Sequence, residues 1–275
     1  TRLILTVHNT LGAQLRDLHR DAPLKHWGKR ACLPALLRRA ARAADAVVAV
    51  SAGVAKDFAQ VAGVPADRLT VIHNPVVDDA LLTAAEAPCP HPWLEPGEAP
   101  VLVGFGRLVD RKRMDLLLEI HATLRPRLGQ RLVIIGTGPQ RAALETRAAS
   151  LGVSDSVLFA GFVENPYAWL SRAAAMIMCS RYEGFGLVLA EALACGCPVV
   201  STDCPHGPAE VLDHGRFGAL VPVDDARALA DAVTATLATP PDRNALRRRG
   251  LDFTAARAAR FYLDLPAMEA RLEIS

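Results

Sequence analysis

Short β-branched runs alternate with longer Ala/Leu/Arg-rich segments of helical period along most of the chain. This alternation is typical of stacked βαβ units, so we predict an α/β fold with parallel sheets. In the second half, six such runs predict strands, at 101–105, 132–136, 157–160, 174–179, 198–201 and 219–221. Right-handed crossovers between them would build a doubly wound domain, whose ligand crevice lies at the carboxyl ends of its strands.

The first half of the chain contains fewer patterns that predict strands or helices. Apolar runs predict strands at 3–7, 46–50 and 69–72, and helical periodicity predicts helices at 33–44 and 53–61. Five prolines between positions 88 and 100 are incompatible with helix interiors or central strands, and they indicate a linker. We therefore predict a partial first domain at 1–86, a linker at 87–99, a second domain at 100–252 and a C-terminal helix at 253–275 that could return to the first domain.

Composition narrows the functional classes. The 275 residues are 51% hydrophobic, and 31 Lys and Arg face 29 Asp and Glu, which leaves a net charge of +2. Such a chain can bury a core, and its balanced charge does not indicate a nucleic-acid surface. Uncharged stretches such as 46–55 are far shorter than the roughly 18 apolar residues of a membrane span. The six cysteines lack zinc-site spacing, so we expect reduced thiols and a cytoplasmic protein.

The most specific segment runs from residue 180 to residue 200. A strand ends, a glycine-containing loop follows, and an Ala/Leu-rich helix is predicted at 187–194. The free N–H groups at the start of this helix would face the crevice and attract an anion. Glu183 and Glu191 flank the helix start at a spacing of eight residues, so their carboxylates can accept hydrogen bonds from different parts of one elongated ligand. This arrangement suits a nucleotide sugar.

Two cations precede this segment. Arg107 follows Gly106 at the end of a predicted strand, and Lys112 lies five residues later at a predicted helix start. Both could converge on a pyrophosphate, with charge-assisted contacts of about 1.5–3 kcal/mol each. An isolated pair of this kind would more often be solvated surface charge, but the flanking strand, the glycines and the downstream carboxylates favour phosphate binding.

These motifs resemble family 4 of the retaining glycosyltransferases, which have the GT-B architecture. The Glu183/Glu191 spacing and the Glu-Gly-Phe-Gly sequence from Glu183 are typical of that family, and residues 44–51 and 71–75 look like landmarks of its first domain. Residues 201–208 are similar to members that build bacterial surface polysaccharides. The resemblance implies two Rossmann-like domains that face a cleft, the first of them incomplete here.

The resemblance also implies roles for individual residues. Glu183 would lie against the donor sugar and Glu191 would bind the ribose, while Arg107 and Lys112 would hold the diphosphate. His8, at the end of the first strand, would position the donor sugar and the acceptor without acting as a nucleophile. Further donor-binding residues are expected in the loops after the strands, namely Gly106, Phe162, Val163, Gly184, Phe185, Gly186 and Leu187.

The implied activity is transfer of a hexosyl unit from a UDP- or GDP-sugar to a hydroxyl acceptor, with retention at the anomeric carbon. No cofactor is expected beyond the donor substrate, and no metal, since the chain contains no Asp-x-Asp. A nucleotide-sugar epimerase of similar architecture and a fragment that binds donor without turnover are the alternatives.

Two segments are rich in basic residues, which can serve either binding or solvation. The run from Arg16 to Arg42 could lie on the inner face of an anionic membrane, which would suit a lipid-linked acceptor, or it could be a solvated helix face. Arg247, Arg248 and Arg249 are expected to serve solvation only.

Overall fold

The computed structural model describes residues 2–13, 15 and 27–265. Its first sheet is parallel, with strand order β1-β2-β3, and comprises β1 (Ile4–Val7), β2 (Ala46–Ala49) and β3 (Leu69–Val71). Ile4 lies opposite Ala46, and Val47 opposite Leu69. The helices of this half are α1 (Trp27–Ala43), α2 (Ala52–Ala62) and α3 (Asp79–Ala85).

The second sheet contains six parallel strands in the order β6-β5-β4-β7-β8-β9. Their bounds are β4 (Val101–Phe105), β5 (Arg131–Ile135), β6 (Val157–Gly161), β7 (Ala175–Met178), β8 (Val199–Thr202) and β9 (Ala219–Val221). The strand order reverses between β4 and β7. Ligands of doubly wound sheets bind beyond the carboxyl ends of the strands at this switch point.

Helices cover both faces of the second sheet. The helices that follow the linker are α4 (Met114–Leu128), α5 (Arg141–Ser150), α6 (Tyr167–Leu170), α7 (Leu187–Ala194), α8 (Gly207–Val211), α9 (Ala226–Ala238), α10 (Arg243–Gly250) and α11 (Ala255–Leu263), the last of which packs on the first sheet instead. Because both faces are covered, the central strands are almost continuously apolar, and Leu102, Val103, Val133 and Ile134 are fully buried.

The two sheets share a hydrophobic core. Val7 and Phe58 from the first half belong to the same buried cluster as Phe185 and Leu189 from the second. The C-terminal helix α11 returns to the first sheet, where Ala258 packs with Val48 and Ile72. The domains are therefore joined by apolar contacts as well as by the chain.

All nine strands predicted from the sequence are present, with bounds that differ by at most one residue. Helix α10 was not predicted, and the expectation that its arginines serve only solvation is wrong for Arg249. The Arg249 guanidinium donates to the carbonyls of Glu210 and Val211, at 2.6 and 3.0 Å, and lies 4.9 Å from the Phe253 ring centroid. It therefore holds α10 against the segment that contains α8.

None of the helices in the described part of the chain is long and apolar enough to cross a membrane. The portion of the basic run from Arg16 to Lys25, and residues 266–275 of the predicted C-terminal helix, lie outside the described residues.

Candidate functional site

The candidate site lies at the carboxyl ends of β4 and β7, where the strand order reverses. The loop after β4 carries Gly106 and Arg107 and leads into a short helical turn, Asp110–Lys112. This loop passes very close to the end of β5: a Cβ on Gly136 would lie 1.9 Å from the Gly106 carbonyl oxygen, and Gly136 has φ +136°. Glycine at position 136 thus allows the two strand ends to approach each other.

Lys112 and Glu183 form a buried ion pair at the centre of the site. Lys112 Nζ lies 2.5 Å from Glu183 Oε1, and the two residues are 9% and 7% exposed. Ser180 donates its hydroxyl to the same carboxylate oxygen at 2.7 Å, and Arg111 Nη1 lies 3.5 Å from Oε2. The Glu183 carboxylate is therefore held in one orientation by three donors.

Sequence reasoning placed Lys112 and Glu183 in one site but missed their direct contact. It also missed Ser180 and Arg111 as partners of Glu183. No spacing signal could have found the pair, since 71 residues separate Lys112 from Glu183. Ser180, three residues before Glu183, could have been found from the sequence as the first polar residue after a buried strand.

Arg107 follows Gly106 in the loop after β4. Its side chain is exposed, and it makes no hydrogen bond or ion pair with another residue of the described part of the chain. Lys112 packs its aliphatic stem near Gly106, since a Cβ on Gly106 would lie 3.5 Å from Lys112 Cε. Arg107 is thus the cation available to an incoming anion, whereas Lys112 is already paired.

Helix α7 begins at this site without a side-chain cap. Its N-cap is Gly186, with φ +85°, and the first turn contains no acidic residue. Leu187 is 48% exposed at the helix start. The uncapped amides and the positive end of the helix dipole make this a suitable place for an anion.

Glu191 lies one turn beyond Leu187 on the same face of α7. Burial raises its pKa to about 7, and no opposite charge offsets this effect. The Tyr167 hydroxyl lies close enough to Glu191 to sense its charge: burial, followed by the negative charge of Glu191, raises the pKa of Tyr167. Glu183 and Glu191 therefore occupy different environments: the Glu183 carboxylate is paired with cations, whereas the pKa of Glu191 reflects burial without an opposite charge.

The first domain meets the site at His8 and Gly184. A Cβ on Gly184 would lie 2.1 Å from the His8 carbonyl oxygen, so the end of β1 packs directly on the loop that carries Glu183. The His8 side chain is exposed. The Phe185 ring is buried and points away from the crevice. Its centroid lies 5.4 Å from that of the Phe253 ring.

Phe162 and Val163 lie at the end of β6, farther from Glu183. Phe162 is 80% exposed, whereas Val163 packs against the main core. The strand order places them two strands away from β4, on the same carboxyl edge of the sheet. The structure therefore brings Gly106, Lys112 and Glu183 together, with Arg107 next to Gly106 in the sequence, and it places Phe162 toward the far end of the same edge of the sheet.

Comparison with models of known protein families shows the family of the chain. The family model described as Glycosyl transferases group 1 matches residues 99–239, and a model described as Glycosyltransferase Family 4 matches residues 1–80. The chain belongs to the group 1 glycosyl transferases. The resemblance inferred from the Glu183 and Arg107 segments is confirmed.

The curated relatives of this group 1 glycosyltransferase include an enzyme of lipopolysaccharide core biosynthesis and a D-inositol 3-phosphate glycosyltransferase. It is 36% identical over 155 residues to the lipopolysaccharide core biosynthesis glycosyltransferase LpsE of Rhizobium meliloti, a match that covers 56% of this chain and 44% of LpsE. It is 32% identical over 242 residues to the D-inositol 3-phosphate glycosyltransferase of Thermobispora bispora, covering 80% and 56% of the two chains. The chain spans about half the length of the curated relatives it matches.

Solved structures confirm the GT-B fold of this group 1 glycosyltransferase. Anabaena HepE in complex with UDP has a TM-score of 0.74 at 21% identity, over 99% of this chain and 71% of HepE. The lipopolysaccharide outer core galactosyltransferase WaaB has a TM-score of 0.69 at 22% identity, over 84% and 64% of the two chains.

Proposed function

We propose that this protein transfers a hexosyl unit from a UDP- or GDP-sugar to a hydroxyl acceptor, with retention and without a metal ion. The observation that carries the proposal is the buried Lys112–Glu183 pair beside the uncapped start of α7 and the exposed Arg107. A cationic, amide-lined pocket next to a fixed carboxylate can hold both the diphosphate and the sugar of such a donor. The glycosyltransferase relatives support this assignment.

The donor would extend along the carboxyl edge of the second sheet. Its diphosphate would contact Arg107 and the amides at the start of α7, near Gly186 and Leu187. Its ribose would donate hydroxyl hydrogen bonds to Glu191, and its base would pack against Phe162. Glu183 would face the sugar, and His8 would approach the sugar from the first domain.

In the transfer step, the bond between the anomeric carbon and the β-phosphate oxygen breaks, and a bond from the acceptor oxygen to the same carbon forms on the same face. The acceptor proton passes to an oxygen of the departing β-phosphate, so that the nucleoside diphosphate leaves and no other reactant is required. Arg107 and the amides at the start of α7 would stabilise the charge on the leaving group, and Lys112 would contribute from its pair with Glu183, the type of electrostatic effect that usually contributes most to catalysis. Because these cations offset that charge, the step needs no metal ion.

Glu183 is better suited to orient the sugar than to attack it. Two of its neighbours are cations and a third is a hydroxyl donor, so its oxygens are engaged by Lys112, Arg111 and Ser180. A two-step retaining mechanism needs a carboxylate that forms a covalent bond to the anomeric carbon. The engagement of Glu183 favours the same-face mechanism.

The acceptor is proposed to be lipid-linked and met at the inner face of the plasma membrane. A relative that is 33% identical over 148 residues, from Campylobacter jejuni, carries a diphospho-undecaprenol acceptor in its name. Helix α1 exposes Arg39 and Arg42 together with Leu36, which is 64% exposed. Basic and apolar side chains on one helix can bind an anionic membrane surface.

A donor panel with mass detection tests the function. UDP- and GDP-sugars are supplied with a hydroxyl acceptor, and we expect a glycosylated acceptor and free nucleoside diphosphate, with the anomeric configuration of the donor conserved by NMR. Conversion of the donor to an epimeric nucleotide sugar would favour the epimerase alternative. Calorimetric donor binding without turnover would favour the inactive-fragment alternative.

The environment of Glu191 predicts a pH dependence for donor binding. Its pKa of about 7 means that the carboxylate is increasingly protonated below pH 7, and protonation turns one of the two acceptor oxygens that face the ribose into a donor. Affinity for an intact UDP-sugar should therefore fall as the pH drops from 8 to 6, by at most about tenfold per pH unit at the acidic end.

Calorimetry of wild type and Glu191→Gln at three pH values checks this prediction. The variant should bind more weakly than wild type at pH 8 and show a flat profile, because the titrating group is gone. A wild-type affinity that stays constant from pH 8 to pH 6 would contradict a role for the Glu191 carboxylate.

A further inference from the structure

Glu210, on α8 of the second domain, caps a helix of the first domain. Its Oε2 accepts a hydrogen bond from the Ala52 amide at 2.9 Å, and its Oε1 accepts one from the Gly53 amide at 3.0 Å. Helix α2 has no acidic residue in its own first turn, and the side chain of its N-cap residue Ser51 accepts from the Val54 amide, not from those of Ala52 and Gly53. Glu210 thus supplies, from the other domain, the anion that the start of a helix favours.

The remaining side-chain partner of Glu210 also belongs to the first domain. His73 follows β3, and its Nε2 lies 3.3 Å from Glu210 Oε2. The His73 ring packs against Phe185 and Phe253, with ring centroids 5.3 and 5.7 Å away. The histidine that meets Glu210 is therefore itself held by aromatic contacts across the domain boundary.

The backbone of Glu210 is anchored in the second domain. Arg249 on α10 donates to the Glu210 carbonyl oxygen at 2.6 Å and to that of Val211 at 3.0 Å. Every described side-chain contact of Glu210 thus reaches into the first domain, while its main chain is fixed in the second. This arrangement can transmit the position of one domain to the other.

The contact lies beside the candidate catalytic loop. Ser51, immediately before the two amides that Glu210 binds, donates its hydroxyl to the Gly184 carbonyl oxygen at 2.9 Å. On the other side of this loop, the Glu183 amide donates to the Pro205 carbonyl oxygen at 2.7 Å, and the His206 amide donates to the Glu183 carbonyl oxygen at 2.8 Å. The Glu183 loop therefore lies between the start of α2 and the segment that leads to Glu210.

We propose that Glu210 is a positioning residue for sugar transfer, which fixes the first domain, including His8, against the Glu183 loop by holding the start of α2. The inference rests on the proposed function, because it matters only if donor and acceptor are held by different domains. Transfer requires the acceptor oxygen within about 3–3.5 Å of the anomeric carbon, and a displacement of about 1 Å can cost a hundredfold in rate. In this proposal Glu210 acts through α2 rather than by contact with the donor or the acceptor.

Loss of Glu210 should loosen this contact without unfolding the chain. The apolar cluster that joins the domains includes Val54, Phe58 and Phe185, and none of these side chains depends on Glu210 for its burial. A second polar contact also remains, since Asp57 accepts from the Gly12 amide and lies 3.9 Å from His206. Variants of Glu210 can therefore be purified and measured.

The test compares Glu210→Ala and Glu210→Gln with a matched control, Asp225→Ala. Asp225 also caps a helix, since it accepts from the Ala228 amide at 2.9 Å at the start of α9, but both residues lie within the second domain. For Glu210→Ala we expect at least tenfold faster hydrogen exchange of the Ala52 and Gly53 amides and a transfer kcat at least tenfold lower. The donor dissociation constant should stay within twofold of wild type.

Glu210→Gln keeps one acceptor oxygen, so its kcat and exchange rates should lie between those of wild type and Glu210→Ala, and Asp225→Ala should leave kcat unchanged. Unchanged exchange at Ala52 and Gly53 in Glu210→Ala would overturn the proposal, as would faster exchange with a normal kcat. Donor affinity that falls in parallel with kcat would reveal a general structural role and also overturn it. A wild-type chain that binds donor but transfers no sugar would refute the proposed function instead, and the exchange rates would still decide whether Glu210 bridges the domains.

Discussion

Replacement of Glu183 by Gln is expected to lower the rate of sugar transfer at least about a hundredfold. The amide keeps the shape of the carboxylate but removes the charge that Lys112 and Arg111 face at 2.5 and 3.5 Å. If Glu183 acts on the sugar in the transition state, this loss corresponds to about 2.7 kcal/mol. The measurement is kcat at saturating donor, together with a melting curve that shows the variant is folded.

A matched control is Glu119→Gln. Glu119 also forms an ion pair, with Arg147 Nη2 at 2.8 Å, but both side chains are exposed on helices α4 and α5. Exposed pairs of this kind contribute about 0–1 kcal/mol, so this variant should keep normal activity and nearly normal stability. Near-normal transfer by Glu183→Gln would contradict a catalytic role for Glu183.

The strands and the place of the site could be predicted from local pattern alone. The strands of the second sheet are β-branched apolar runs because they are buried on both faces, as Val103 and Ile134 are. Once the strands are known, the topology of a doubly wound sheet places the loops at Gly106 and Glu183 on one edge. Helix α10 escaped prediction because it buries only Leu246 and Gly250 among arginines, which gives too weak a period.

The contacts within the site could not be predicted in the same way, because they join distant parts of the sequence. Ser51 meets Gly184 across 133 positions, and Ala52 meets Glu210 across 158. The direction in which a side chain points could not be predicted from the sequence either. Phe185 lies in a glycine-rich loop, yet its ring belongs to the hydrophobic core. Residue type and spacing therefore indicate the chemistry of a site, whereas pairing partners require coordinates.

Replacement of Lys112 by Met is expected to destabilise the protein by about 3–5 kcal/mol, because it leaves the Glu183 carboxylate buried without its closest cation. The Lys112 stem packs near Gly106, so Met fills similar space and the effect reports mainly on charge. Urea denaturation of wild type and Lys112→Met measures the change in the free energy of unfolding.

The double variant Lys112→Met/Glu183→Gln separates the charge from the packing. A buried ion pair that is removed as a whole costs much less than one that loses a single member, since no unpaired charge remains. The double variant should therefore be more stable than Lys112→Met alone, although it should transfer no more sugar than Glu183→Gln. If the two substitutions instead destabilised the chain additively, the 2.5 Å contact between Lys112 and Glu183 would not be maintained in solution, and the charge arrangement that underlies the proposed donor site would be wrong.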